Sequence, residues 1–220
     1  ICAHRPIGRK EAMKEAIELL RRISIPSPAE RLKQYPYEFS GGMRQRVMIA
    51  IALANSPDLI IADEPTTALD VTIQSQIIDL LKKLQNEIHT SIILITHDLG
   101  VIAEMCDRVI VMYGGIIMEE APVIKLYHCT KHPYTKGLLR SIPSASENPG
   151  MLEPIRGTPP NLLIPPPGCP FYPRCDFSMK ICRMAMPKIT EAETGHYVRC
   201  WHFHPYAPSS RLNGGVIFGK

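Results

Sequence analysis

The stretch Leu59-Ile60-Ile61-Ala62-Asp63-Glu64-Pro65-Thr66-Thr67-Ala68-Leu69-Asp70 decides the fold. Its apolar run is too short to cross a membrane and is followed at once by two acids and a proline. That order predicts a buried strand whose C-terminal end presents carboxylates, and ligands of open α/β sheets bind at that edge. Asp63 is placed to hold Mg2+, through water, because this hard cation takes oxygen ligands and keeps several waters. Glu64 can accept a proton from an attacking water or orient it. Taken alone, the same residues also read as a strand ending in a solvated acidic turn, since short motifs match by chance.

The flanking segments decide between these readings. Upstream, Phe39-Ser40-Gly41-Gly42-Met43-Arg44-Gln45-Arg46 opens a helix; downstream, Ile95-Thr96-His97-Asp98 closes a second apolar strand. Ser40 can cap the helix that follows. Gly41 and Gly42 lack the β-carbons that keep backbone N–H groups away from an anion, and a helix N-terminus with free N–H groups is an anion site. With Ala68-Leu69-Asp70, the segments stand in the order signature motif, Walker B, D-loop and switch histidine. Up to about Pro205 the chain resembles the ATP-binding subunits of ABC importers of the oligopeptide/dipeptide class. Phe39 and Met43 depart from the commonest signature, Leu-Ser-Gly-Gly-Gln, in the way this subfamily does.

Whole-chain properties narrow the classes. The net charge of +4 comes from 25 basic and 21 acidic residues and forms no block of like charge, so nucleic acid is not an expected partner. No apolar run has transmembrane length and the N-terminus lacks a signal-peptide core. The expected location is the cytoplasmic face of a membrane, reached by docking. Seven cysteines in an intracellular chain point to a metal or cofactor before a disulfide framework.

Taken in order, Met13, Ala16, Ile17, Leu20 and Ile23 predict an amphipathic helix stopped by Pro26 and Pro28. Val47, Ala50, Ile51 and Ala54 give the signature helix a core stripe. Ile73, Ile77, Leu80, Leu81, Leu84 and Ile88 predict a core-facing helix after the D-loop. Ser91–Ile95 is the next strand, Leu99–Cys106 a short helix, and Arg108–Tyr113 and Ile116–Glu120 are strands joined by the Gly114-Gly115 turn. Alternating strands and helices make the chain α/β, a partial P-loop ABC ATPase domain: a helical subdomain plus a RecA-like sheet lacking its first strands. A complete G-x-x-x-x-G-K-[ST] loop is absent. Gly214, Gly219 and Lys220 have part of its spacing, but no hydroxyl residue or helix follows them. This, and a first residue Ile1 in place of Met, lead to the expectation that the chain is truncated at its N-terminus and does not hydrolyse ATP alone.

Beyond Val123 the composition shifts. A short helix is predicted from His132-Pro133-Tyr134. A proline-rich connector holding Pro154, Pro159, Pro160, Pro165, Pro166, Pro167 and Pro170 follows. Cys169, Cys175, Cys182 and Cys200 come next, separated by five, six and seventeen residues, in a stretch with little apolar periodicity. They read as ligands of an iron–sulfur cluster, as a structural zinc site, or as free thiols. Gly168-Cys169-Pro170-Phe171, Pro173-Arg174-Cys175 and Arg156-Gly157-Thr158-Pro159-Pro160-Asn161-Leu162 are similar to the C-terminal domain of peptide-importer ATPases, where a [4Fe-4S] cluster occurs in some members. His196, His202 and His204 read as surface residues before substitute ligands.

The resemblance implies four segments: 1–57, part of the helical subdomain with the signature; 58–122, the C-terminal part of the ATPase core; 123–208, an extension with the cysteines; and 209–220, a tail. It implies ATP and Mg2+ as ligands, with Glu64 as base, Asp63 at the metal and His97 at the γ-phosphate. Ser40, Gly41, Gly42 and Asp70 contact the ATP or the surface of an opposite subunit. The implied partners are a second ABC ATPase subunit, transmembrane permease subunits and, indirectly, an external substrate-binding protein. The implied function is to energise import of di- or oligopeptides across the cytoplasmic membrane. Two rival readings are a non-transport ABC ATPase and a non-catalytic truncated product.

Overall fold

A computed structural model of the chain describes residues 1–67, 69–141 and 154–205. Ala68 of the D-loop, the partial glycine motif at 214–220 and the tail at 209–220 lie outside the described residues. The chain divides into two compact units, Ile1–Val101 and Ile102–Lys220.

The first unit begins with helices α1 (Arg9–Arg22), α2 (Pro28–Arg31) and α3 (Gly41–Leu53). Leu20, Ile23 and Ile25 are buried, whereas Met13 of the predicted stripe faces solvent. In α3 the buried side chains are Ile49, Ala50 and Leu53, and Ile51 is exposed, so the predicted stripe is rotated. The rotation follows from a helix with apolar side chains around much of its circumference, where periodicity alone does not choose a face. Strand β1 (Leu59–Asp63) pairs in parallel with β2 (Ser91–Ile95), from Leu59 opposite Ser91 to Asp63 opposite Ile95. Between them α4 (Val71–Ile88) buries Ile77, Ile78, Leu80, Leu81 and Leu84. The two strands were expected to be buried, yet Leu59, Ile61, Ile93 and Ile95 are all exposed. An apolar run identifies a strand but not whether both of its faces are covered. Helix α5 (Leu99–Met105) crosses into the second unit.

The second unit is built on a four-stranded antiparallel sheet of order β3-β4-β6-β5: β3 (Arg108–Tyr113), β4 (Ile116–Pro122), β5 (Thr190–Glu193) and β6 (His196–Val198). Gly114 and Gly115 both have positive φ, 59° and 77°, which suits the tight turn joining β3 to β4. Helices α6 (Val123–Cys129), α7 (Pro133–Arg140) and α8 (Lys180–Met184) complete the unit. The pairing of β4 with β6 brings the cysteine-bearing stretch back onto the hairpin, a long-range link that no local pattern announces. Tyr113, Tyr134 and Phe171 pack together with ring centroids 4.6 to 5.3 Å apart, over the fully buried Met118.

Two polar devices hold this unit. Glu119 of β4 is fully buried and accepts hydrogen bonds from Thr130 Oγ1, Lys131 N, His132 N and His196 Nε2. His196 is therefore a core residue and not the surface residue its sequence context suggested: a carboxylate saturated by donors makes burial of the imidazole affordable. His132 is also buried, and its Nδ1 accepts the Tyr134 N–H at the start of α7. The second device is Arg174, which donates from Nε to Arg156 O, from Nη1 to the Tyr113 hydroxyl and from Nη2 to Ile155 O, with its guanidinium 5.9 Å from the centre of the Tyr113 ring.

Burial holds the His132 imidazole down to about 4, from 6.5, against the opposing pull of Glu119. The unfolded chain takes up this proton near pH 6.5 and the folded chain refuses it until about pH 4, so the contribution is whole above 6.5 and lost as pH falls towards 4. It amounts to about 3 kcal/mol. Urea unfolding followed by fluorescence of Trp201, the single tryptophan, should show about 2 to 3 kcal/mol less acid destabilisation between pH 7 and 4.5 for His132→Asn, which keeps a capping acceptor but does not titrate. Gly168 offers a second check. A β-carbon there would overlap the Cys182 carbonyl oxygen and lie 2.8 Å from the Arg183 carbonyl group. Gly168→Ala should cost the second unit about 2 kcal/mol or more in the same assay.

Candidate functional site

The register of β1 and β2 brings both sequence-predicted reacting groups to one sheet end. Asp63 is the last residue of β1, exposed and opposite Ile95. The next residue, Glu64, donates its backbone N–H to Ile95 O at 2.8 Å, which turns the chain across the end of β2. Glu64 has a φ of 44°. A left-handed backbone at a residue carrying a β-carbon costs on the order of 1 kcal/mol, and such strain concentrates at functional sites. Its carboxylate accepts Thr67 Oγ1 at 2.8 Å on one oxygen and faces His97 Nδ1 at 3.3 Å on the other. The Thr67 hydroxyl first, and His97 second, hold the Glu64 carboxyl below the usual range. It is therefore ionised at neutral pH, and both side chains remain open to solvent at 47% and 79% exposure. An ionised carboxylate beside an accessible imidazole can take a proton from, or orient, a water placed between them and a substrate.

The signature and D-loop residues meet at the starts of two helices. Ser40 caps α3, its Oγ accepting from Met43 N at 3.3 Å, and Asp70 caps α4, its Oδ1 accepting from Ile73 N at 2.9 Å. Gly42 is required for a reason that the sequence did not reveal. A β-carbon at this position would stand 2.8 Å from Ile73 Cγ2, and one at Gly41 would stand 3.6 Å from Leu69 Cδ2. The two glycines thus let the two helix starts approach.

Three further participants were given no role of their own in the sequence: Thr67, Gln74 and Asp98. Asp98 accepts the N–H groups of Gly100 and Val101 on Oδ1, and Gln74 Nε2 on Oδ2 at 2.8 Å. Burial alone pushes its carboxyl up, but the donors of Val101, Gln74 and Gly100 outweigh this and hold it below its ordinary value. An aspartate directly before Leu-Gly-Val-Ile is a helix-start signal and was available. Nothing in the sequence pairs residues 74 and 98.

In the second unit Cys169, Cys175, Cys182 and Cys200 all line one cavity, which His132, Phe171 and Trp201 also border. Cys169 N–H donates to Cys182 O at 2.8 Å, and Cys182 Sγ accepts Met179 N–H at 3.4 Å. All seven cysteines are free. Burial pushes the thiol of Cys175 up to about 11 and that of Cys200 up to about 12, so these sulfurs are neutral at physiological pH. Among the described residues, no three His, Cys, Asp or Glu side chains are arranged to hold a metal ion. The four thiols thus converge on one cavity. His202 bonds to Phe177 O at 2.7 Å and borders the same cavity, whereas His196 bonds to Glu119 in the core. Among the described residues no helix is long and apolar enough to cross a membrane.

Comparison with known proteins accounts for both units. Residues 3–67 match the family described as ABC transporter, and residues 118–182 match the family described as oligopeptide/dipeptide transporter, C-terminal region. The dipeptide transport ATP-binding protein DppD of Bacillus subtilis (strain 168) is 51% identical over 211 residues, covering 96% of this chain and 63% of the relative. The oligopeptide transport ATP-binding protein OppD of the same organism is 52% identical over 206 residues, covering 93% and 58%. OppD of Salmonella typhimurium is 50% identical over 184 residues, covering 84% and 55%. A solved structure, the dimeric structure of MJ0796, a bacterial ABC transporter cassette, is 37% identical over 53% of this chain and 49% of its own, with a TM-score of 0.46. The chain thus spans less than two thirds of the length of these curated relatives. Residues 3–67 and 118–182 thus belong to these two families, and along nearly all of its length the chain is similar to the ATP-binding proteins of dipeptide and oligopeptide transport.

Proposed function

We propose that this chain carries the signature, Walker B, D-loop and switch elements of a subunit that hydrolyses ATP to energise import of di- or oligopeptides. The observation that carries the reading is the pairing of Glu64 with His97 at adjacent parallel strand ends. In this role Glu64 takes or directs the proton of the attacking water, and His97 orients that water and contacts the γ-phosphate. Asp63, exposed at the end of β1, suits a Mg2+ ion that draws most of its ligands from phosphates and water. When bound, that ion neutralises charge building on the transferred phosphoryl group. Ser40, Gly41 and Gly42 offer N–H groups to the γ-phosphate of an ATP held by an opposite subunit, and Asp70 meets that subunit.

The 220 residues hold no complete phosphate-loop motif, so turnover is assigned to this chain acting together with such a loop. Segments 1–57 and 58–122 supply the helical subdomain and ATPase core, and 123–208 the extension. The partners are a second ATP-binding subunit, identical or homologous, and membrane-spanning permease subunits, with an external binding protein acting through them. The complex places the chain on the cytoplasmic face of the membrane. The match of residues 118–182 to the transporter C-terminal region favours transport over a role for a non-transport ABC ATPase.

For the cavity cysteines we propose a cluster or zinc role, supported by four thiols lining one space. It requires their deprotonation and a closing movement of the sulfurs.

Two outcomes are expected. In the full-length gene product, Glu64→Gln should lower kcat for ATP about a hundredfold or more while ATP binding is retained; unchanged turnover would reject the assignment. Anaerobic treatment of this chain with iron and sulfide should give visible charge-transfer absorption that Cys200→Ser diminishes. If neither iron nor zinc is retained at about one site per chain, the thiols are only structural.

A further inference from the structure

Helix α4 is gripped by side chains from two directions. Gln74 Nε2 donates to Asp98 Oδ2 at 2.8 Å. Gln76 Oε1 accepts Arg46 Nη2 of α3 at 3.0 Å, and the same guanidinium donates from Nη1 to Ile23 O at 3.0 Å. Two residues apart on an α-helix is a rotation of about 200°, so the bonds leave opposite sides of α4. One reaches the loop that holds the switch histidine and the other reaches the signature helix. At its start α4 also receives Gly42 against Ile73.

The Asp98 end of this arrangement bears directly on His97. Asp98 is held on both oxygens: one carboxylate oxygen caps α5 and the other takes Gln74, while its own N–H donates to Thr96 Oγ1 at 3.0 Å. His97 sits between Thr96 and Asp98 and is itself exposed. Its placement opposite Glu64 is therefore set by its neighbours in the chain and not by packing of the ring. The Gln74 amide fixes Asp98 from outside its own turn.

We infer that Gln74 is a positioning residue for the switch histidine, and that α4, held to α3 through Gln76, sets His97 by reference to the signature helix. This rests on the ATPase reading above. When nucleotide engages Ser40 and the N–H groups behind it, a displacement of α3 is carried by Arg46 and Gln76 to α4 and by Gln74 to the loop bearing His97. One subunit's signature contact, made to its neighbour's nucleotide, thereby adjusts the hydrolytic residues at its own.

Spatial continuity is not coupling, so the test is a double-mutant cycle. In the full-length gene product with its partner subunits, Gln74→Leu should lower kcat about tenfold, the scale of one hydrogen bond to a charged acceptor. The KM for ATP should stay within about twofold, because the lost interaction orients and does not bind. Gln74→Lys, which restores a donor to Asp98, should recover most of kcat. Gln76→Leu should lower kcat by less, and the double variant should fall short of the product of the two single effects. The inference is overturned if Gln74→Leu leaves kcat unchanged, if the two effects simply multiply, or if kcat and thermal stability fall together and Lys restores neither. Glu64→Gln measured alongside separates the two levels: if it abolishes turnover while Gln74→Leu does nothing, only this inference falls; if neither has an effect, the ATPase reading falls too.

Discussion

Five residue pairs of parallel sheet carry the site. From Leu59 opposite Ser91 to Asp63 opposite Ile95, the ladder has no shift in register. A slip of one residue would turn every side chain on the strand to the other face. With the ladder in place, Glu64 leaves β1 at the level where β2 ends, and its N–H closes onto Ile95 O. The left-handed backbone at Glu64 accompanies that closure: the chain turns at once, against the extended conformation that Pro65 favours in the residue before it. The geometry of the acid and the histidine is thus an outcome of strand pairing, with Thr67 and Asp98 as local braces.

The helix starts obey a second constraint, that of close approach. α3 and α4 begin side by side because Gly41 and Gly42 present no side chain to Leu69 and Ile73. Such glycines are easily read as serving only a bound phosphate. Here they serve a packing contact within the chain, so a side chain at Gly42 would displace Ile73.

Much of the first unit was legible in the sequence because its signals are local. An apolar run ending in Asp-Glu, a serine before two glycines and a Thr-His-Asp at the next strand end each sit within a few residues. What remained hidden was set by distance along the chain. The Gln74–Asp98 bond joins residues 24 apart, and the β4–β6 pairing joins Glu119 to Val198. His196 looked like a surface residue because the four-donor environment of Glu119 is assembled from three separate segments. Exposure on β1 and β2 and the rotation of α3 were missed because apolar content says that a segment packs, not which side does. The four cysteines stood out because they share a stretch poor in apolar periodicity, whereas their common cavity depends on long-range contacts such as the Gly168 approach to Cys182.

Arg174 has a consequence for the proline-rich connector. By holding the carbonyls of Ile155 and Arg156 and the hydroxyl of Tyr113, it closes the intervening chain into a ring without a covalent bond. A disulfide across a loop of this size lends about 3 kcal/mol by restricting the unfolded ensemble, but it depends on the oxidation state of its surroundings. A guanidinium clasp restricts only the folded state and is indifferent to reductants. In a unit that gathers four reduced thiols around one space, loop closure of this kind keeps the cysteines out of the task of cross-linking and leaves their sulfur chemistry unspent.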